Sequence, residues 1–159
     1  MEEFRDIIQA LTTHQVNGIL IGGVAGALRG AHRPTRDVDW LYRRDPSNYA
    51  KIVEAVAPLS PYLRGAPPGL PFCFDEKTIA AGGNFTLTTT AGDLDLLATI
   101  AGGDYESLLD HSDLMRVFDC ECRVLNLTTL IRVKRAAGRP KDFEAIAELE
   151  RILEELDDE

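Results

Sequence analysis

Two short stretches constrain this chain more than any others: DVDWLY at residues 37–42 and GDLDLL at residues 92–97. Each alternates carboxylates with apolar side chains. Successive side chains of a strand point to opposite faces. Asp37 and Asp39 therefore share one face, and Val38, Trp40 and Tyr42 share the other. Asp93 and Asp95 stand against Leu94 and Leu96 in the same way. The apolar faces are core. Carboxylates about 7 Å apart along a strand repel each other unless a cation lies between or beside them. A single strand of this kind is accounted for by a wet sheet face. Its recurrence brings a third carboxylate within reach of the first pair, a hard-oxygen arrangement suited to Mg²⁺.

The remaining pattern predicts alternating helices and strands. Phe4, Ile7, Ile8 and Leu11 recur at helical spacing. Asn17-Gly18 breaks that helix, and ILI reads as a buried strand ending at Gly22-Gly23. A small-residue helix, VAGALRG, follows, and HRPTR is a loop because Pro34 removes a backbone donor. Pro46 stands near the start of a helix over PSNYAKIVEAVA, and PLSPYLRGAPPGLP is a Pro/Gly-rich loop. NFTLTTTAGDLDLLATI predicts two strands joined near Ala91-Gly92, and DYESLLDHS a short helix. LMRVFDCECRVLNL predicts a hairpin. Thr128 or Thr129 is expected to cap a helix closed by Gly138. After Pro140 comes an amphipathic helix with Phe143, Ile146, Ala147, Leu149 and Ile152 on its inner side.

The length of 159 residues suits one domain spanning 1–159. Its core is expected over about 1–100, with a hairpin and helices over about 104–159. No apolar run reaches the roughly 18 residues that span a bilayer, so no membrane partner is expected. The amphipathic, initially acidic MEEFRDIIQALTTH does not read as a secretory leader, and a cytoplasmic location is expected. A formal net charge of −9 argues against long duplex nucleic acid as a partner. Cys73, Cys120 and Cys122 make no disulfide framework. The last two read as alternate residues of a strand.

The order strand, Gly22-Gly23, small helix, Arg-x-Thr-x-Asp-x-Asp over Arg33–Asp39, then an apolar-flanked aspartate at Asp95 resembles the DNA polymerase β-type nucleotidyltransferase superfamily. Within it, the chain is similar to small bacterial members related to AbiEii-type toxin nucleotidyltransferases. The resemblance covers Ile19 to Tyr42, Gly92 to Leu97 and Leu127 to Asp142. It implies an α/β (α+β) nucleotidyltransferase fold: a mixed sheet with helices on one face and a C-terminal helical segment. It implies a glycine turn at Gly22 and Gly23 that approaches the triphosphate of an NTP, ATP included. Gly23 stands where many members carry serine. It further implies Asp37, Asp39 and Asp95 as catalytic metal ligands for two Mg²⁺ ions, with Mn²⁺ as a substitute. Asp93 competes with Asp95 for the third place, since it lies on the same face.

LIRVKRAAGRPKD, residues 130–142, is the other informative run. Lys134 shares a helical stripe with Leu130, Ile131 and Ala137. It either snorkels or binds phosphate as a point charge. The resemblance supports the second role and adds Lys141 and Asp142 as matched positions. Arg33 and Arg36 precede the first carboxylate and are candidates for the triphosphate or acceptor, with a surface role open for each. His14, His32 and His111 have no partner at a catalytic spacing.

The leading functional expectation is transfer of a nucleoside monophosphate from an NTP to an acceptor hydroxyl on tRNA, a protein or a small molecule. A toxin acting on tRNA, with an antitoxin as partner, follows from family analogy alone. The alternatives are a non-catalytic nucleotide- or partner-binding module retaining the fold, and an unrelated α/β protein with acidic wet faces.

Overall fold

The structure is a computed structural model and describes residues 1–158. The chain opens with α1 (Arg5–Thr13), β1 (Gly18–Ile21), α2 (Gly22–Leu28), β2 (Asp37–Tyr42) and α3 (Pro46–Val56). There follow β3 (Tyr62–Leu63), α4 (Glu76–Ala81), β4 (Phe85–Thr89) and β5 (Gly92–Leu97). A two-stranded ribbon, β6 (Thr99–Ile100) with β7 (Gly103–Asp104), leads to α5 (Tyr105–Leu108). The chain closes with β8 (Ser112–Val117), β9 (Cys120–Leu125), α6 (Leu127–Ala137) and α7 (Phe143–Asp157).

Seven strands form one mixed sheet in the order β3-β4-β5-β2-β1-β9-β8. The β2–β5 and β1–β9 pairs are parallel, and the remaining neighbours are antiparallel. Behind the carboxylate strands, Val38, Trp40, Leu94 and Leu96 are buried, each at most 1% exposed. Helix α1 lies on this apolar face, with Ile7 Cδ1 3.7 Å from the place a Cβ on Gly92 would occupy. Its Ile7, Ile8 and Leu11 are fully buried, and α3 packs beside it. Helix α6 packs on α2 and against α7, and α6 with the turn before α7 lines the cleft over the sheet face from which the carboxylates project. No helix among the described residues is long and apolar enough to cross a membrane.

Local differences from the sequence reading have physical causes. Asn126, rather than either threonine, caps α6: its Oδ1 accepts from the Thr129 amide at 2.9 Å. The helix therefore starts two or three residues earlier, and Leu127 packs into the core. Phe143 is 63% exposed because a 3-10 turn over Pro140–Asp142 rotates the start of α7. The Pro/Gly-rich loop contains β3, which pairs with β4 through Tyr62↔Thr88 and Leu63↔Leu87. A tilted and edge-on aromatic series, Tyr62–Phe72–Phe74–Phe85, packs the chain after it. Helix α4, capped by Asp75, stands on residues where the periodicity was too short to announce it.

One buried polar side chain joins the first two βα units. Asn48 has no solvent exposure. Its Oδ1 accepts from the Asn17 amide at 2.8 Å, and its Nδ2 donates to the Asn17 carbonyl at 3.0 Å and the Arg43 carbonyl at 2.8 Å. Replacing it takes a partner from the Asn17 amide and the Arg43 carbonyl, while the Asn17 carbonyl keeps its bond from the Arg43 amide at 3.0 Å. Asn48→Ala is expected to lower stability by about 1–3 kcal/mol, read from the denaturation midpoint with an unchanged slope.

Candidate functional site

Strands β2 and β5 pair in parallel with Asp37 opposite Asp93 and Asp39 opposite Asp95. Directly paired residues point to the same face, so four carboxylates project from one patch of sheet. One oxygen each from Asp37, Asp39 and Asp95 lies within 4.8 Å of the others. Asp93 is not in that group. The register separates the two acids of β5: Asp95 faces Asp39 deep in the cleft, and Asp93 sits one pleat further out.

The glycine pair at the start of α2 is required by what lies against it. Gly22 has φ +69°, and a Cβ there would come 1.9 Å from Asp39 Oδ2. A Cβ on Gly23 would come 2.5 Å from Thr35 Oγ1. The turn thus brings bare backbone against the middle carboxylate, in a conformation that glycine alone adopts without strain. Thr35 in turn donates its hydroxyl hydrogen to the Asp37 carbonyl at 3.2 Å, holding the loop that enters β2.

Electrostatics follow from this crowding. Burial, then repulsion from Asp37 and Asp95, pushes the Asp39 carboxyl up to about 8, against a small opposing pull from Lys134. Asp37 is also raised, first by burial and then by Asp95. Three acids at this separation cannot all ionise freely without a cation.

A residue that sequence reading did not single out supplies the nearest positive charge. Arg64 follows β3 and turns its guanidinium into the carboxylates. Nη2 is 2.7 Å from Asp95 Oδ1 and donates to the Leu87 carbonyl at 2.7 Å. Nη1 is 3.7 Å from Asp37 Oδ2. Nε lies 3.2 Å from Asp93 Oδ2, an ionic contact whose direction does not suit a hydrogen bond. The one sequence signal was a single arginine in an otherwise uncharged Pro/Gly-rich stretch between two strands.

Around the carboxylates is a cleft of about 790 Å³. Gly22, Gly23, Arg36 and Lys134 line it together with Asp37, Asp39 and Asp95, as do Lys141 and Asp142. Helix α6 brings Lys134 in from the side opposite the sheet, and neither Lys134 nor Arg36 has an ion-pair partner among the described residues. Asp142 is buried and paired with Arg139 at 2.8 Å. Arg33 is turned away from the carboxylates and meets Glu144 of α7 at 3.2 Å. Thr99, Ile100 and Ala101 of the β6–β7 ribbon form the far wall, braced by Asn84, whose Oδ1 accepts from the Ala98 amide at 2.7 Å.

No family model matches the chain, and no curated protein sequence does. Its fold is shared with a solved structure from Thermotoga maritima, described as a "putative nucleotidyltransferase", which superposes with a TM-score of 0.57. The match covers 97% of this chain and 92% of that one, at 16% identity. At that identity the likeness is one of fold, and chemistry must be argued from the residues in the cleft.

The raised Asp39 carboxyl has a thermodynamic consequence. The folded protein keeps a proton that the unfolded chain releases near 3.8, so stability falls as pH rises from about 4 to about 8. Asp37 acts in the same direction. In chelator-treated protein, Tm is expected to decline across that window. Asp39→Asn, which removes the ionisation and keeps the shape, is expected to flatten the decline and melt higher than the parent at pH 8.

Proposed function

We propose that this chain is a single minimal nucleotidyltransferase domain that uses a divalent metal. It transfers a nucleoside monophosphate from an NTP to an acceptor hydroxyl. The observation that carries this reading is the convergence of Asp37, Asp39 and Asp95 beside the Gly22-Gly23 turn, in a cleft of nucleotidyltransferase fold. The donor set is all carboxylate oxygen and only partly buried, which fits a hard cation such as Mg²⁺, with Mn²⁺ as a substitute. Asp37 and Asp39 would hold two such ions and Asp95 one of them. When bound, the metal lowers the cost of negative charge on the attacking and leaving oxygens.

The chain's own residues then have distinct tasks. Asp95 takes the proton of the acceptor hydroxyl on its carboxylate. The acceptor oxygen forms a bond to the α-phosphorus as the bond to the β-phosphate bridging oxygen breaks, and pyrophosphate leaves. Gly22 and Gly23 let the nucleotide's phosphates approach the backbone. Lys134 and Arg36, both without an ion-pair partner among the described residues, bind those phosphates as fixed positive charges. Lys141 extends the basic rim toward the acceptor side. A local basic rim on a chain of net charge −9 suits a short or single-stranded acceptor, such as a tRNA end, better than a long duplex. The toxin reading, with an antitoxin partner, belongs with that acceptor.

Incubating the protein with each α-labelled NTP, Mg²⁺ and total RNA or protein tests the activity. Label is expected in one acceptor pool, and Asp39→Asn is expected to abolish it while the variant stays folded. Lys134→Met tests the phosphate contact. Its loss is expected to weaken NTP binding by about ten- to a hundredfold, the worth of a charge-assisted contact. Binding of the corresponding nucleoside should be unchanged in the same titration. Equal NTP affinity in variant and parent would return Lys134 to packing along α6.

A further inference from the structure

Arg64 is in an unusual position for an arginine. Its guanidinium touches two of the three acids proposed as metal ligands, Asp95 at 2.7 Å and Asp37 at 3.7 Å, and makes no contact with Asp39. A guanidinium cannot lose its proton under ordinary conditions. A dication and this group therefore cannot both lie against Asp37 and Asp95 without strong repulsion. One of them must give way.

The structure shows where the guanidinium can go. Two of its partners lie outside the metal-ligand set: the Leu87 carbonyl at 2.7 Å and Asp93 at 3.2 Å. Those contacts survive if the fork tilts away from Asp37 and Asp95. The backbone need not follow, because the Arg64 amide is held by the Thr86 carbonyl at 3.0 Å at the end of the β3–β4 pairing. The Arg64 side chain is itself 28% exposed, so the fork is not sealed in by the fold. Asp93, left out of the carboxylate group by its register, thus acquires a task as the resting place of the displaced charge.

We propose that Arg64 is a built-in counter-ion of the carboxylate cluster, displaced from Asp37 and Asp95 by an incoming divalent cation and retained by Asp93 and the Leu87 carbonyl. This rests on the metal reading of the cluster given above. Arg64 offsets the repulsion of the metal-free site, and the cation binds against that offset. By linkage, the two cations weaken each other's hold on the carboxylates by the same factor.

The sign of this coupling separates a counter-ion from a strut. Mn²⁺ binding to the metal-free protein is measured from the electron paramagnetic resonance signal of free Mn²⁺. Parent, Arg64→Gln and Arg64→Lys are compared at one pH and ionic strength. Arg64→Gln is expected to bind Mn²⁺ about tenfold more tightly or better, since a full charge a few ångströms away is removed. Arg64→Lys keeps a charge but loses the fork, and should show a smaller gain. If the glutamine variant does not fold, the lysine variant decides by the same sign. Unchanged or weaker Mn²⁺ binding in the folded variants, with the parent binding normally, overturns the counter-ion role and makes Arg64 a strut that preorganises Asp95. No Mn²⁺ binding by parent or variants overturns the metal reading itself, and the counter-ion role with it.

Discussion

Four carboxylates crowd one face of the sheet because β2 and β5 pair in parallel with Asp37 opposite Asp93 and Asp39 opposite Asp95. That register is set by the opposite face, where Val38, Trp40, Leu94 and Leu96 are buried. A slip of β5 by one residue would turn Asp93 and Asp95 into the core and Leu94 and Leu96 to the cleft. Burial of each large apolar side chain contributes about 1.5–3 kcal/mol, so the four together outweigh substantial repulsion among the acids in front of them. The apolar half of each strand thus holds the acidic half in an arrangement it would not adopt alone.

Every other feature of the cleft responds to this charge. Arg64 meets Asp93 and Asp95 through a forked group, Lys134 lies near Asp39 without forming an ion pair, and burial leaves Asp39 reluctant to ionise. The acid with least compensation is the one pressed against Gly22. A site in which charge is tolerated rather than neutralised is suited to receiving a cation, and costs stability while it waits.

The C-terminal helices turn an acidic sheet face into a cleft. Helix α7 comes close to α2 at a glycine, with Leu149 3.8 Å from the position of a Cβ on Gly26, and Ile152 lies equally close to that on Gly30 in the turn after α2. Its packing on α6 includes an Arg135–Glu150 ion pair at the surface. Arg139 and Asp142 bridge the turn between the two helices. With α6 fixed in this way, Lys134 faces the carboxylates across the cleft, and Arg33, drawn to Glu144, does not.

The sequence by itself determined the faces. Alternation in DVDWLY and GDLDLL assigned acids to one side and core to the other, because side-chain direction in a strand depends only on parity. Helical spacing placed Ile7, Ile8 and Leu11 inside for an equally local reason. The pairing of strands far apart in the chain could not be read locally. It set Asp95 opposite Asp39 and into the three-oxygen group with Asp37, while Asp93, on the same face, stayed outside it. It also brought Arg64, 31 residues before Asp95, out of a Pro/Gly-rich stretch and into the cluster. The cap of α6 depended on Asn126 reaching the Thr129 amide, and the outward Phe143 on a 3-10 turn that reset the helix phase. Parity and periodicity are properties of neighbouring residues. Register, counter-charge and helix phase arise only when separate segments compete for the same space.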